Sequence, residues 1–373
     1  MTTDRLAELS ALGVSIWLDD LDRSRLTTGG LARLIADDHV VGVTTNPSIF
    51  GKAISHGADA YATQVASLAD GQADADFAVR EMTTQDVRNA CDLLADVSAR
   101  TNGVDGRVSI EVDPRLARET EPTFEQARAL WSEVDRPNLL IKIPGTVEGL
   151  PAITQAISEG ISINVTLIFS VDRYRQVLDA WASGLERRLA AGHSVADVHS
   201  VASFFVSRVD TAVDDLLDKN GSHAAAALRG KAGLANARLA WQVYQEFRST
   251  PRWANLEAAG APAQRPLWAS TSVKDPAFPD DMYVVGLAGP GCVNTMPEPT
   301  LRAVADHGRL AGDTLGGAGP SSQQVFDDLA AVGVDMDAVC QQLENEGVEK
   351  FKDAWVELLD TVRHALAKDR GGS

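Results

Sequence analysis

The stretch "NLLIKIPGT", residues 138–146, is an apolar run of the kind that forms a buried parallel strand, with a lysine set into its middle. A cation in such a place costs several kcal/mol to desolvate unless it is paired or discharged. What Lys142 does there, and what surrounds its strand, decide the reading of the chain.

Working outward, the same kind of short, β-branched run recurs to a total of eight. The others are "VSIWLD" (14–19), "VGVTTN" (41–46), "RVSIEVD" (107–113), "ISINVTLIF" (161–169), "HSVASFFV" (199–206), "RPLWAST" (265–271) and "MYVVGLA" (282–288). Helical patterns separate most of them, such as "TFEQARALWSEV" and "VDRYRQVLDAWASGLERRLAA", and Gly160 and Gly192 stand where helix C-caps are expected. Alternating strand and helix without a break in composition indicates one parallel α/β domain. Eight strands favour a closed (β/α)8 TIM barrel over an open sheet. The expected domain covers residues 1–368, with extra helices at 51–106 and 322–368 and a disordered tail at 369–373. "AGDTLGGAGP" (311–320) matches no phosphate-loop spacing and follows no strand, so it reads as a loop.

At 373 residues, 45% hydrophobic and 23% charged, the chain has the composition of an ordinary soluble globular protein. Its net charge of −18 argues against a nucleic-acid or anionic-membrane partner. Any anionic substrate must therefore be met by a local group of cations. Cys91, Cys292 and Cys340 lie far apart, and the seven histidines form no metal-binding spacing, so neither metal nor cofactor is expected. No apolar run approaches a bilayer span, and "MTTDRLAELSALG" lacks the hydrophobic stretch of a signal peptide. The expected location is cytoplasmic.

Side chains alternate along a strand, so each run divides by parity. Val108, Ile110 and Val112 oppose Ser109, Glu111 and Asp113; Ile161, Ile163, Val165 and Leu167 oppose Ser162, Asn164 and Thr166. Val14, Ile16 and Leu18 oppose Ser15, Trp17 and Asp19; Gly42, Thr44 and Asn46 form one row. Wholly apolar rows should face the outer helices and mixed rows the barrel interior. Asp19, Asn46, Glu111, Lys142, Asn164 and Thr166 then converge at or near the C-terminal ends of their strands, where barrel active sites are built. Each has a structural alternative: a cap for Asp19, a turn for Asn46 before Pro47, backbone partners for Asn164 and Thr166, an ion pair for Glu111 with Lys142. Their convergence favours chemistry. Burial favours the neutral, nucleophilic amine of a lysine, which attacks carbonyls to form a Schiff base whose iminium is an electron sink. Asp19 suits the proton transfer, and Glu111 with Thr166 suits the holding of a water.

"GVTTNPSIF" (42–50) and "NLLIKIPGT", supported by "SIEVD" (109–113), "INVTLIFS" (163–170) and "ASFFVSRVD" (202–210), resemble the signatures of the transaldolase family, in order from about residue 13 to about residue 300. The resemblance implies a transferase of the non-oxidative pentose phosphate pathway, in which a lysine imine carries a dihydroxyacetone unit. The donors would be sedoheptulose 7-phosphate or fructose 6-phosphate, and the acceptors erythrose 4-phosphate or glyceraldehyde 3-phosphate. It assigns the imine to Lys142, the general base to Asp19 and the water to Glu111 and Thr166. Asn46, Asn164 and Ser203 would contact the dihydroxyacetone unit, Phe205 would line the site, and Arg208 would bind phosphate. Where the family carries a second phosphate-binding arginine, this chain reads "WASTSVKDP", which leaves Lys274 with Ser270 and Ser272 nearby.

Three other functions stay open on the sequence. Aldolases that release free dihydroxyacetone resemble transaldolases but typically carry Gln at the Glu111 position and Tyr at the Phe205 position. A non-catalytic sugar-phosphate binder would not need lysine, acid and water-holding residues together. A metal-dependent aldolase would need a ligand cluster.

Overall fold

The computed structural model describes residues 4–371. Eight strands form a closed barrel in sequence order: β1 (Ser15–Leu18), β2 (Val40–Val43), β3 (Arg107–Glu111), β4 (Leu139–Pro144), β5 (Ile163–Ile168), β6 (Ser200–Phe205), β7 (Arg265–Ala269) and β8 (Val293–Met296). Each strand pairs in parallel with its neighbours, and β8 closes the ring against β1. Ile16, Leu18, Ile110, Ile141 and Val165 join the large core between strands and outer helices, as parity requires. Trp17, Leu140, Val201, Phe205, Leu267 and Val293 fill the barrel. Gly42 makes room for this filling. A Cβ there would stand 2.5 Å from the Trp17 indole, so only glycine lets that ring lie flat against β2.

Two expectations need correction. "MYVVGLA" (282–288) is not the eighth strand: Met282–Val285 is a short helix, and β8 is the more polar Val293–Met296. Tyr283, Val284, Leu287 and Ala288 are buried while Val285 and Gly286 between them are less so, which is a helical spacing inside a run that looks continuous. Leu167 also changes sides. Its backbone is left-handed (φ 58°) and the β5–β6 register shifts between Val165 and Ile168. Alternation therefore breaks after Thr166; Leu167 and Phe169 point into the interior cluster and Ile168 joins the outer one. A left-handed leucine costs about 1–2 kcal/mol, offset here by apolar burial on both faces.

Extra helices do surround the barrel, at Pro47–His56, Ala58–Asp70, Ala75–Leu93 and Ala95–Arg100 between β2 and β3, and at Gly319–Ala331 and Met336–Gly371 after β8. The C-terminal helix packs against the first three of these, against the helix after β6 (Ser207–Asn220), and against the end of β5. It thereby crosses the C-terminal mouth. It also runs to Gly371, into the segment expected as a tail, of which residues 372 and 373 lie outside the described residues. Among the described residues no helix is long and apolar enough to cross a membrane.

Candidate active site

Three adjacent strands bring the central polar groups into one row. Glu111 on β3 is level with Lys142 on β4, and Lys142 is level with Asn164 on β5. The Lys142 side chain is only 6% exposed. Its Nζ donates to the Thr45 carbonyl at 3.0 Å and lies 3.6 Å from Glu111 Oε2. That carbonyl is presented at the end of β2 because the Thr45 hydroxyl is tied to the Ser109 carbonyl at 2.7 Å.

Glu111 is buried, and neither carboxylate oxygen has a hydrogen-bond partner; the buried Thr166 hydroxyl has none either. Buried polar atoms are nearly always satisfied, so three such atoms gathered at a barrel mouth make this the candidate site. Burial pushes the Glu111 carboxyl up to about 7, against the pull of the Lys142 charge.

Asp19 follows β1, half-buried, and accepts from the Thr44 hydroxyl at 2.7 Å. Thr44 Oγ1 is in turn 2.6 Å from Thr295 Oγ1 on β8. This Thr44–Thr295 pair, which sets the Asp19 carboxylate, was missed. Thr44 stood in the Asn46 row but carried no chemistry of its own, and Thr295 was hidden by the misplacement of the eighth strand.

Asn46 caps the helix Pro47–His56, its Oδ1 accepting from Ile49 N at 3.0 Å. It also lines, with Glu111, a cavity of about 250 Å³ that reaches out to Gln126 and Trp355. Asn164 and Ser203 are bonded to each other: the Ser203 hydroxyl donates to Asn164 Oδ1 at 2.7 Å, and Asn164 Nδ2 donates to Ser109 Oγ at 3.0 Å. Side chains from β3, β5 and β6 thus hold the Asn164 amide in one orientation beside Lys142.

The cations expected to meet a phosphate also assemble. Arg208, second residue of the helix after β6, has its guanidinium 5.2 Å from the Phe205 ring centroid, and its buried Nη1 has no hydrogen-bond partner. Burial lowers its basicity while Asp19, Glu346 and Glu111 pull the other way. Lys274 donates to the Ser272 hydroxyl at 2.6 Å, and burial followed by the Arg208 charge holds its ammonium below the usual lysine range. Arg208 and Lys274 line a cavity of about 500 Å³ together with Lys219 and Lys350. Four cations against the two carboxylates Asp215 and Glu346, the latter paired with Lys350 at 3.3 Å, leave this cleft locally cationic in a chain with net charge −18, as an anionic ligand requires. Ser270 is left-handed (φ 55°), and its hydroxyl lies 2.8 Å from that of Ser207 at the start of the Arg208 helix.

The C-terminal helix supplies what sequence reading did not foresee. Phe351 places its ring centroid 5.9 Å from Lys142 Nζ and 6.0 Å from Arg208 Cζ. No signal near residue 351 distinguishes this phenylalanine from any other apolar residue of an amphipathic helix. Among the described residues one group of potential metal ligands gathers, Asp280, Asp281 and His307, and it shares no member with this site.

The family described as Transaldolase/Fructose-6-phosphate aldolase matches residues 16–362. The transaldolase of Mycolicibacterium smegmatis is 60% identical over 361 residues, covering 97% of this chain and 97% of that protein. That of Acidothermus cellulolyticus is 59% identical over 368 residues, 99% of this chain and 98% of its own. That of Mycobacterium bovis (strain BCG / Pasteur 1173P2) is 58% identical over 362 residues, with 97% of each chain covered. With the family match spanning residues 16–362 and about 60% identity to transaldolases over nearly its whole length, the chain belongs to the transaldolase/fructose-6-phosphate aldolase family.

Proposed function

We infer that this chain is a transaldolase of the pentose phosphate pathway that moves a dihydroxyacetone unit between sugar phosphates through an imine on Lys142. The observation that carries this reading is the buried Lys142 amine, which donates to the Thr45 carbonyl and lies 3.6 Å from a Glu111 carboxylate that has no hydrogen-bond partner.

In this reading the neutral amine attacks the C2 carbonyl of sedoheptulose 7-phosphate or fructose 6-phosphate. Glu111 and Thr166 hold the water through which protons pass as the carbinolamine loses its oxygen. Asp19, oriented by Thr44, takes the C4 hydroxyl proton; the C3–C4 bond breaks and its electron pair moves into the iminium, leaving an enamine and a free aldose phosphate. Erythrose 4-phosphate or glyceraldehyde 3-phosphate then accepts the enamine carbon, and water releases the new ketose. Asn46, Asn164 and Ser203 orient the three-carbon unit, Phe205 lines it, and Arg208, Ser270 and Lys274 hold the phosphate. Lysine gives such a phosphate a point charge where arginine would give a fork. Free, buried Cys91, Cys292 and Cys340 accord with a cytoplasmic setting.

The test is product analysis with fructose 6-phosphate and erythrose 4-phosphate in excess chelator. Sedoheptulose 7-phosphate and glyceraldehyde 3-phosphate should form in equal amounts, and the Lys142→Met variant should form neither. Formation of free dihydroxyacetone in place of sedoheptulose 7-phosphate would reassign the chain to the aldolase branch of the family.

A further inference from the structure

A lysine-bound three-carbon enamine has two fates. Its carbon can form a bond to the aldehyde carbon of an acceptor, whose oxygen takes a proton. Alternatively that carbon takes a proton from water, a second water adds to the iminium carbon, and the C–N bond breaks. Dihydroxyacetone then leaves with the water oxygen as its carbonyl, and the amine stays on Lys142. Which fate wins depends on how well solvent is kept from the bound unit.

The C-terminal helix is built to sit over that position. Four contacts recur on one face at spacings of three or four residues. Cys340 Sγ meets the Phe169 carbonyl at 3.3 Å, and Glu344 pairs with Arg173 at 3.1 Å with both side chains at most 10% exposed. Gly347 lets the helix down onto the end of β5, since a Cβ there would lie 3.1 Å from the Leu167 side chain and 3.4 Å from that of Phe169. One turn later comes Phe351, 6% exposed. The left-handed backbone that turns Leu167 inward thus creates the surface on which this helix rests.

Phe351 is about equally distant from the amine that would carry the substrate and the guanidinium that would hold its phosphate. Arg208 lines the large cleft between this helix and the helix after β6, along with Leu343, Glu346 and Lys350. The phenyl ring is therefore within reach of both Lys142 and the guanidinium that lines that cleft. Its face also suits a cation, and the protonated imine is one.

Resting on the transaldolase reading above, we propose that Phe351 is a specificity-determining residue of the reaction: its ring seals the lysine-bound unit from solvent, so that the unit passes to an aldose and not to water. The C-terminal helix is then part of what makes this barrel a transferase.

The experiment measures the ratio of free dihydroxyacetone to sedoheptulose 7-phosphate formed from fructose 6-phosphate and erythrose 4-phosphate. It compares wild type with Phe351→Ala, Phe351→Val and Phe351→Leu. The ratio is set within each turnover, so a partly unfolded preparation does not move it. Opening the seal should raise it about tenfold in the alanine variant, less in valine, and by no more than about threefold in leucine, which keeps most of the apolar bulk. If the alanine variant does not fold, the valine and leucine variants give the same ordering. A ratio within about twofold of wild type in both the alanine and valine variants, or an equal rise in all three, would overturn the proposal. Borohydride trapping of wild type with fructose 6-phosphate separates the two failures. An adduct on Lys142 with a flat ratio sinks only the seal, whereas no adduct sinks the transaldolase reading and the seal with it.

Discussion

The two ends of this barrel hold similar side chains in opposite conditions. At the N-terminal end Arg107 donates to the carbonyls of Gly103 and Pro137 at 2.6 and 3.0 Å, while Arg265 donates to Ser15 Oγ, the Val104 carbonyl and Asp105. Asp105 also accepts from Ser15 and from the Trp17 indole. At the C-terminal end Glu111, Thr166 and Arg208 Nη1 are buried with no hydrogen-bond partner. The first arrangement closes the barrel floor around the Trp17 plug. The second gathers unpartnered polar atoms from three elements around one lysine, ready for a ligand. Charge alone does not distinguish a site from a plug; the state of its partners does.

The comparison breaks if the mouth proves structural or the floor catalytic. Asp19→Asn keeps the shape of the side chain and its contact with Thr44 but removes the ionisable carboxylate proposed as the base. We expect kcat to fall ~10²–10⁴-fold with the thermal midpoint nearly unchanged, as general base catalysis is worth that much. A fall of less than about threefold would take Asp19 out of the chemistry. Arg265→Leu should do the reverse, costing roughly 3 kcal/mol of stability by denaturant titration because Asp105 loses its cation. Its kcat should stay within about twofold. A large drop in kcat with intact stability would place the floor in the mechanism.

The smallest effect concerns pH. With its carboxyl at about 7, Glu111 changes charge near neutrality. Its ionised form accepts a proton from water, so kcat/KM should rise as the pH passes through about 7, and Glu111→Gln should abolish that limb. Stability runs the other way. A carboxyl whose pKa is raised on folding contributes stability that is fully present below the ordinary value of 4.5 and lost as the pH rises through about 7. A limb that survives in the glutamine variant would assign the ionisation to another group.

Much of this was legible in the sequence because parity carries far in a parallel barrel. Trp17, Glu111, Lys142 and Asn164 face inward as alternation requires, and alternation fails at the left-handed Leu167. The last strand was misread because four residues with polar Asn294 and Thr295 carry a weaker β signal than the apolar run just before them. Phe351 was illegible for a different reason. Its position over Lys142 follows from long-range packing at Glu344 and Gly347, which no local pattern encodes. The same holds for Lys219 and Lys350, brought to Arg208 and Lys274 by two helices distant in sequence.

The central claim is that the buried amine of Lys142 becomes the covalent carrier. The direct measurement is to incubate the protein with fructose 6-phosphate, reduce with borohydride and map the modified peptide by mass. The account predicts a three-carbon adduct on Lys142 and unmodified lysines elsewhere, including Lys274 and Lys350. Substrate binding without any adduct, or an adduct on another lysine, would contradict it and return Lys142 to a structural ion pair with Glu111.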